Sequence, residues 1–380
     1  MSEWKKYIIS ELCTDIIDCV NKTAPISDKE TPYRMLRTSD IRDGFINLDG
    51  LNCVTEDVFQ KWTRRGVLQV GDIVFTREAP LGEVGIVREA VNYFLGQRLV
   101  LYRANPQKCD NRFLMYWFLN PINKEGLKSR GVGATVTHLR VPECERIEIT
   151  APDISTQRRI AAILSAYDDL IENNRRQIAL LEEAAQRLYK EWFVDLRFPG
   201  HEHVPIVDGL PEGWKWSKVT DLLAIKYGKD HKSLDDGEIP VYGSGGVMRK
   251  VKPVLYSGES VLIPRKGSLN NILYVDCDFW TIDTMFYSIP RIKNVVKYSY
   301  LTLSSKDMYS FNIGAAVPSM TTKILDSMDI LLPDESILSK FEETVASVFD
   351  KVKILNRQSY YASEARDRLL PKLMSGEIEV

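Results

Sequence analysis

The sequence predicts an α+β protein made of two similar mixed α/β domains and two long helices that pair as an antiparallel intramolecular coiled coil. Three observations support this fold class: an internal repeat, a heptad pattern of apolar residues, and short strand-like segments outside the helices. The repeat also predicts pseudo-twofold symmetry between the two halves of the chain. With 380 residues, the chain is long enough for two or three domains that each bury a core.

The internal repeat has one constant offset over its best-preserved part. The segment GATV at 133–136 recurs as GAAV at 314–317, a shift of 181 residues. At the same shift, the Pro-Asp pair at 152–153 recurs at 333–334. One offset that holds over both segments indicates two copies of a single unit, each a globular part followed by a helical tail.

The repeat and the element types together divide the chain into four segments. A stretch with several Pro and Gly residues, 197–205, is typical of a linker between the two copies. The segments are 1–151 for the first mixed domain, 152–196 for the first helical spacer, 197–332 for the linker and second mixed domain, and 333–380 for the second helical spacer and C-terminal end.

Each helical tail carries a heptad seam. Apolar positions alternate in steps of four and three, as in a coiled coil, and one helix over 155–192 would be about 57 Å long. A buried Asn174 would fix the register of the pair, and Pro371 is expected to stop or kink the second helix near Leu370. The alternative is two unrelated amphipathic helices that each pack on their own domain. The predicted seam positions are Ile160, Leu164, Tyr167, Ile171, Asn174, Ile178, Leu181 and Leu188, then Phe341, Val345, Val348, Val352, Leu355 and Leu369.

The globular parts contain short strand-like runs and an aromatic-rich helix at 113–119. One of these runs, GDIVF at 71–75, resembles GESVL at 258–262 with a shift of 187 residues, so the repeat extends into the domains. The predicted strands are 70–75, 85–87, 99–102 and 146–149 in the first domain, and 239–242, 260–263, 272–275 and 329–332 in the second.

Charge and cysteine content restrict the class of protein. The formal net charge is -2, with the acidic excess in the helices and a near balance in the globular parts, so a basic face for nucleic acid remains possible. The six cysteines form no CxxC pair, as expected for a reduced intracellular protein. No signal-like segment or membrane-length apolar run is present, which predicts a soluble chain without a membrane partner.

Motifs that carry enzyme chemistry are missing. There is no GxxxxGK[ST] loop, no Asn-Pro-Pro-Tyr/Phe motif, no GxSxG and no HExxH. His201 and His203 lie in the linker without a nearby Cys, and Asp276, Asp278 and Asp283 lack the Glu-x-Lys that a nuclease site would need. We therefore expect no catalytic residue, metal site or bound cofactor in this chain. A stand-alone nuclease or methyltransferase and a coiled-coil adaptor that binds only proteins remain as alternatives.

Polar clusters in predicted loops are suited to DNA. Arg, Asn, Thr and Ser can reach base edges, whereas Lys mostly contacts phosphate. For any single residue, an ordinary solvated loop is an equally good interpretation. The candidate DNA-binding residues are Lys61, Arg64, Arg65, Arg77, Arg130, Thr135, Thr137 and His138 in the first domain, and Tyr242, Ser244, Arg249, Lys252, Arg265, Lys266, Asn270 and Asn271 in the second.

Several stretches resemble the specificity (S) subunits of type I restriction-modification systems. They are PDISTQ at 152–157, ILSAYDDLIENN at 163–174, LPEGW at 210–214 and LLPKLMSGEI at 369–378. The likeness covers essentially the whole chain; it is strong in the helices and linkers and generic in the globular parts, which is where that family varies.

This resemblance implies a function for every segment. Each globular part would be a target-recognition domain that reads one half of a bipartite site in double-stranded DNA, and the helices would act as a ruler that sets the unread gap. The helices would also bind two modification subunits, which use S-adenosylmethionine to methylate a flipped adenine. Restriction subunits that use ATP and Mg²⁺ would complete the assembly in the cytoplasm of a prokaryote.

Overall fold

A computed structural model describes residues 3–89, 92–131, 137–314 and 316–380. The chain forms two compact units. The first consists of Met1–Asn173 and Gln358–Val380, and the second is Asn174–Arg357. Each unit therefore combines one globular domain with parts of both long helices. The boundaries predicted from the sequence follow changes in element type, whereas the compact units divide the helices themselves.

The first unit contains short strands and helices that precede a long helix. In chain order they are β1 (Lys5–Ile8), α1 (Ile9–Leu12), β2 (Cys13–Asp18), β3 (Arg34–Leu36), a 3-10 turn (Thr38–Asp40), β4 (Ile41–Arg42), β5 (Phe45–Ile46), β6 (Asn52–Cys53), α2 (Glu56–Trp62), β7 (Ile73–Arg77), β8 (Leu81–Ile86), β9 (Tyr93–Leu95), β10 (Leu99–Ala104), α3 (Asn111–Leu119), α4 (Pro121–Arg130), α5 (Val141–Glu145) and β11 (Glu148–Ala151).

The long helices and the second domain follow. The first long helix, α6 (Ile154–Tyr189), continues as a π-helical turn (Lys190–Val194) and a 3-10 turn (His201–His203) comes after it. The remaining elements are β12 (Ile206–Val207), β13 (Leu210–Pro211), β14 (Lys215–Lys218), α7 (Val219–Leu222), β15 (Leu223–Tyr227), β16 (Asp236–Gly243), β17 (Gly246–Val251), β18 (Tyr256–Pro264), β19 (Leu273–Thr281), β20 (Met285–Pro290), α8 (Val296–Ser304), a 3-10 turn (Met308–Phe311), α9 (Thr322–Ser327), β21 (Asp329–Leu332) and the second long helix α10 (Glu335–Ser375).

The two domains share one strand order, which confirms the internal repeat. The first has an antiparallel sheet in the order β2-β10-β7-β8, and the second repeats it as β15-β20-β18-β19. In each domain the opening strand also pairs antiparallel with the strand before the long helix, β1 with β11 and β14 with β21. The run at 71–75 enters β7 and its counterpart at 258–262 lies in β18. The α+β prediction is therefore confirmed, and each predicted strand overlaps an observed one.

Different segments interrupt the shared sheet at the same point of the chain. Between β2 and β7, the first domain inserts α2 and the strands β3 to β6, of which β3 pairs parallel with β9. Between β15 and β18, the second domain inserts only the β16–β17 hairpin, which extends the sheet beyond β19. The repeated parts thus form a common framework, and the inserted parts distinguish the two domains.

Aromatic side chains hold α3 against the sheet of the first unit. The helix begins where the Asp110 carboxylate accepts a hydrogen bond from the Phe113 N–H (3.0 Å). The Phe118 ring stacks on Tyr102, with 5.3 Å between ring centroids, and lies 5.0 Å from Phe75. All three rings are fully buried. The aromatic-rich helix predicted at 113–119 is confirmed by α3. Burial of several aromatic rings on one face of the sheet stabilises this helix strongly.

The prediction that Pro371 stops the second long helix is wrong, because α10 continues through it to Ser375. A proline in a helix interior costs about 3 kcal/mol, through a lost hydrogen bond and a clash with the preceding turn. Leu370, Leu373 and Met374 are buried in the core of the first unit. Each such side chain contributes roughly 1.5–3 kcal/mol when buried, and together they outweigh the cost of the proline.

Equivalent aspartates cap the two long helices. Asp153 Oδ1 accepts hydrogen bonds from the N–H groups of Ser155 (2.9 Å) and Thr156 (3.1 Å), and Asp334 Oδ1 accepts one from Ser336 N–H (2.7 Å). The pKa of both carboxyl groups is lowered from the ordinary value of 3.8, for Asp153 chiefly by the hydrogen bond from the Thr156 N–H, and for Asp334 chiefly by one from the Ser336 hydroxyl and then by that from its N–H. The positions are related by the repeat, so the Pro-Asp pair identified in the sequence marks both helix starts.

We expect Asp153→Ala to lower the melting temperature at neutral pH, because two helix N–H groups lose their acceptor. A carboxylate with a lowered folded-state pKa stabilises the protein above its unfolded pKa, and this contribution is lost as the pH falls through the lower folded value. The difference in melting temperature between wild type and variant should therefore shrink below about pH 4, as measured by circular dichroism. Asp153→Asn, which caps without titrating, is the control. A difference that does not change with pH would contradict the assignment.

Among the described residues, no helix is both long and apolar enough to cross a membrane.

Candidate nucleic-acid interface

Three loops of the second domain meet through backbone and side-chain hydrogen bonds. The Asn271 amide donates to the carbonyl of Ser244 in the β16–β17 turn (2.8 Å). Gly267 N–H donates to Pro318 O (2.9 Å), and Lys266 forms a β-bridge with Ser319. The loop after β18, the β16–β17 turn and the loop before α9 therefore form one surface, and we call it the second loop cluster.

Side-chain amides make this cluster rigid. Asn270 accepts a hydrogen bond from Met308 N–H (2.7 Å) and donates one to the Asp307 carboxylate (3.2 Å). The side-chain oxygen Oδ1 of Asn312 accepts hydrogen bonds from Gly314 N–H (2.9 Å) and Ser319 N–H (2.8 Å). The loops are thus fixed by internal contacts, as a preformed binding surface requires.

The first domain repeats this backbone arrangement. Leu139 N–H donates to Arg77 O (2.9 Å) and His138 bridges Glu78, just as Met320 N–H donates to Arg265 O (2.9 Å) beside the second bridge. His138 and Leu139 lie 181 residues before their counterparts. In both domains the loop after β7 or its counterpart β18 therefore contacts the segment that follows the repeated GATV/GAAV motif. We call the first-domain surface the first loop cluster.

The predicted DNA-binding residues of the first domain occupy several elements. Arg77 and Arg65 both face Asp18, at 3.6 Å and 3.3 Å, and Arg77 is only 12% exposed. These two arginines therefore support the edge of the sheet. His138 belongs to the first loop cluster. Arg65 is nevertheless exposed, as are Lys61 on α2, Arg64 after it, Arg130 at the end of α4, and Thr137. Thr135 lies outside the described residues.

Two candidates of the second domain are held by contacts within the domain, one by ring packing and one by hydrogen bonds. Tyr242 packs against Phe279 (ring centroids 6.3 Å apart), and burial, with a smaller contribution from Cys277, raises its pKa to about 12. The Arg249 guanidinium donates to Asp236 Oδ1 (2.5 Å) and Leu234 O (2.9 Å). These contacts favour a framework role for both residues.

The other candidates of the second domain lie in or near the loops. Lys252 pairs with Asp235 at 3.6 Å. The Arg265 guanidinium donates to Asp283 O (3.0 Å) and lies over the Tyr227 ring. The structure brings five predicted residues together in the second loop cluster: Ser244, Arg265, Lys266, Asn270 and Asn271. Lys266 is exposed and forms no ion pair within the described parts of the chain.

Exposed apolar residues at the tip of the β16–β17 hairpin were missed by the sequence interpretation. Val247 is 58% exposed and Met248 is 56% exposed, directly after the turn that Asn271 holds. The signal that could have identified them is a Gly-rich turn followed by two apolar residues and then Arg249 and Lys250, because a hairpin normally alternates buried and exposed positions.

The long helices pair antiparallel within each unit. In the first unit, Arg366 of α10 donates to Asp168 of α6 (2.6 Å), and in the second unit the Asn174 amide donates to Leu355 O (3.5 Å). Among the predicted seam residues, the buried ones are Ile160, Leu164, Ile171, Asn174, Phe341, Val345 and Leu355. The half-buried ones are Tyr167, Ile178, Leu181, Leu188, Val348, Val352 and Leu369.

A three-residue polar contact lies at the helix pairing of the first unit. Asp168 is 1% exposed, accepts from Arg366 and also accepts from the Tyr116 hydroxyl (2.5 Å). Burial, reinforced by the adjacent Asp168 carboxylate, raises the pKa of Tyr116, so the hydroxyl stays protonated and donates. We call this set the Asp168 network. It joins α3 of the domain to both long helices.

The outer faces of the two helices carry equivalent ion pairs, each with an exposed apolar neighbour. In α6, Arg187 pairs with Glu183 at 2.6 Å, and in α10 the equivalent Arg368 pairs with Glu364 at 3.2 Å. Each pair has an exposed apolar neighbour three residues before the glutamate, Leu180 (65%) and Tyr361 (55%). Core packing does not require these residues, so the repeat extends to the surface.

No three His, Cys, Asp or Glu side chains within the described residues are grouped to hold a metal ion. The six cysteines are free thiols, and burial raises the pKa of several of them, including Cys13 to about 12.

Comparisons with known proteins agree on one family. The model of the family described as type I restriction modification DNA specificity domain matches residues 1–183 and 211–358. The type I restriction enzyme MjaIX specificity subunit of Methanocaldococcus jannaschii is 26% identical, over 86% of this chain and 82% of its own. The HindI specificity subunit of Haemophilus influenzae is 20% identical over the full length of both chains. The crystal structure of an S subunit from M. genitalium has a similar fold, with a TM-score of 0.60, 19% identity, and 98% of this chain and 96% of that chain covered.

Proposed function

The chain belongs to the type I restriction-modification DNA specificity family, and we propose that it is the non-catalytic specificity subunit of such a complex. Each domain reads one half of a bipartite site in double-stranded DNA through its loop cluster and inserted segment. The modification and restriction subunits carry out the chemistry, so S-adenosylmethionine, ATP and Mg²⁺ are bound by them. The complex acts in the cytoplasm of a prokaryote.

The observation that carries this proposal is a common framework with different insertions. A shared sheet order gives both domains the same way of presenting loops. The inserted segments differ, as they must if the two halves of a site have different sequences. DNA specificity comes from loops and ribbons that reach base edges, whereas positioning comes from contacts that can be the same in both domains.

The long helices act as a spacer between the two recognition domains. They pair antiparallel through apolar seams, with the buried Asn174 and the Asp168 network as polar contacts that favour one register. Two half-sites on one face of a duplex lie about one helical turn apart, roughly 34–36 Å, or a multiple of it. A helix of 36 residues is about 54 Å long, which is long enough to set such a distance.

The repeated outer faces of the helices bind two copies of the modification subunit. Two equivalent sets of exposed residues, Leu180 with Glu183 and Arg187, and Tyr361 with Glu364 and Arg368, would contact two identical partners. An exposed apolar side chain flanked by charges is typical of a protein interface. This arrangement gives each half-site its own methyltransferase.

The test is binding of duplex DNA by the chain assembled with its modification subunits. We expect a bipartite preferred sequence, selected from random duplexes, that binds 10³-fold or more tighter than unrelated DNA. Titration at several salt concentrations separates the phosphate contribution from base readout. Absence of any sequence preference would refute the proposal, and methylation or cleavage by the purified chain alone would support an enzyme instead.

Lys266→Ala is expected to weaken binding of all duplexes by a similar factor and to reduce the slope of log K against log salt by about 0.9, the value for one lost phosphate contact. Lys266 extends into solvent from the second loop cluster, which explains the expectation. Lys340→Ala on α10 is the matched control and should leave the slope unchanged. Fluorescence anisotropy of the assembled complex measures both. An altered half-site preference with an unchanged slope would instead assign Lys266 to a base.

A further inference from the structure

The β16–β17 hairpin is the segment in which the second domain differs from the shared framework. If the two domains read different half-sites, the element unique to each is where the difference is encoded, so this inference rests on the proposed function. The strand β17 lies at the edge of its sheet and has β16 as its neighbour. The hairpin is therefore a two-stranded ribbon with one free edge.

The tip of this ribbon is exposed to solvent and contains a β-bulge. Tyr242 is paired with Val247, and Gly243 with Gly246, across the turn. Because Val241 is paired with Arg249, Met248 is the extra residue of a β-bulge and lies with Val247 opposite Tyr242. Both are more than half exposed. A tip packed against the domain would hide these side chains, so the tip projects from it.

Contacts at its base hold the ribbon in place. Arg249 is hydrogen-bonded to Asp236 and to the carbonyls of Leu234 and His231 (3.3 Å). At the turn, Ser244 O accepts from Asn271. A Cβ at Gly243 would lie 2.6 Å from Met248 Sδ, so the absence of a side chain there lets Met248 lie across the backbone. The two apolar side chains are thus presented by a rigid support.

We propose that the ribbon tip enters the major groove and that Val247 and Met248 contact the 5-methyl groups of thymines in the half-site read by the second domain. The major groove is wide enough for a two-stranded ribbon, and the thymine methyl is the apolar group that base edges display there. The two basic side chains beside the tip form ion pairs within the domain: Arg249 with Asp236, and Lys250 with Glu238 at 3.4 Å. Lys266, in the loop that contacts the turn, is placed to reach the phosphates that flank the groove.

The experiment uses the full chain assembled with its modification subunits and the duplex it prefers. Each thymine in the half-site of the second domain is replaced in turn by deoxyuridine, which removes only the methyl group. We expect at least one replacement to weaken binding by about fourfold, the value for one buried methyl-sized group. In Val247→Ala or Met248→Ala that dependence should disappear, with the salt slope unchanged. Val254→Ala, which alters a 42% exposed valine in the segment between β17 and β18, should keep the wild-type response.

Three outcomes would overturn the proposal: a half-site without any A·T pair, deoxyuridine replacements without effect, or variants that weaken thymine and deoxyuridine duplexes equally. Loss of the modification subunits from the Val247→Ala and Met248→Ala complexes, with the DNA preference intact, would assign the tip to a protein partner and also overturn it. These results are distinguishable from failure of the proposed function, in which no sequence preference would exist for either half-site.

Discussion

Replacing Arg366 with alanine is expected to lower the free energy of unfolding of the first unit by about 3–5 kcal/mol, as found when one partner of a buried ion pair is removed. Asp168 is 1% exposed and Arg366 is 12% exposed, so water cannot replace the lost guanidinium. The remaining hydrogen bond from Tyr116 cannot neutralise the carboxylate. Urea denaturation followed by circular dichroism measures the change. The equivalent of Asp168 in α10 is Phe349, so the second unit has no matching charge to lose.

A variant that removes the whole Asp168 network distinguishes two free energies: the cost of leaving a buried carboxylate without its cation, and the net stabilisation that the network provides. Asp168→Leu with Arg366→Met and Tyr116→Phe should recover most of the lost stability, because apolar residues of similar volume often replace a buried ion pair at little cost. Glu364→Ala, an exposed change on the same helix, should shift stability by less than about 1 kcal/mol. A loss below about 1 kcal/mol for Arg366→Ala would show that Asp168 is not buried in solution.

Deleting residues 171–177 and 352–358 together is expected to shorten the gap between the two half-sites by about three base pairs and leave both half-site sequences unchanged. Seven helical residues span about 10 Å, and the duplex rises 3.4 Å per base pair. The two deleted segments contain Asn174 and Leu355, which contact each other. One whole heptad is therefore removed from each helix, and the remaining seam stays in register. Methylation profiling of DNA from cells that carry the variant gives the gap directly.

The control for this experiment is deletion from one helix only. Removing 171–177 alone leaves seven residues of α10 without partners, so the complex should lose stability and specific binding. The spacer interpretation would be refuted if the paired deletion changed the half-site sequences, or if the gap remained as in the wild type.

The repeat and the helices could be predicted from sequence because their signals are local. A heptad seam and an Asp cap are set by neighbouring residues, and the structure shows both. The insertion of the first domain could not be predicted in the same way. Its strands have two or three residues, and β3 is defined by parallel pairing with the distant β9. Strands this short form because the rest of the domain positions them, and propensity has little influence.

Single site residues were harder to assign, because the partner that decides a role is remote in sequence. Arg77 and Arg249 look like DNA-binding residues in the sequence, yet Asp18 and Asp236 engage them in the structure. Asp168 lies beside the seam position Tyr167 and resembles a solvated residue, but contact with Tyr116 of the domain buries it. The candidates named from the sequence included two loops of the second domain, through Ser244 and Asn271, but nothing in the sequence indicated that these loops contact each other.

The composition of the first unit has a consequence for the order in which the protein can fold during synthesis. Its core includes Leu370, Leu373 and Met374, and its buried Asp168 needs Arg366, all from a segment that is translated after the second unit. The first unit can therefore be completed only after Asn174–Arg357 has been translated, whereas the second unit lies within that one continuous stretch. A chain that terminates before residue 358 would leave apolar surface of the first unit uncovered. Cellular proteases and chaperones would therefore recognise truncated chains before they could capture partner subunits in unproductive assemblies.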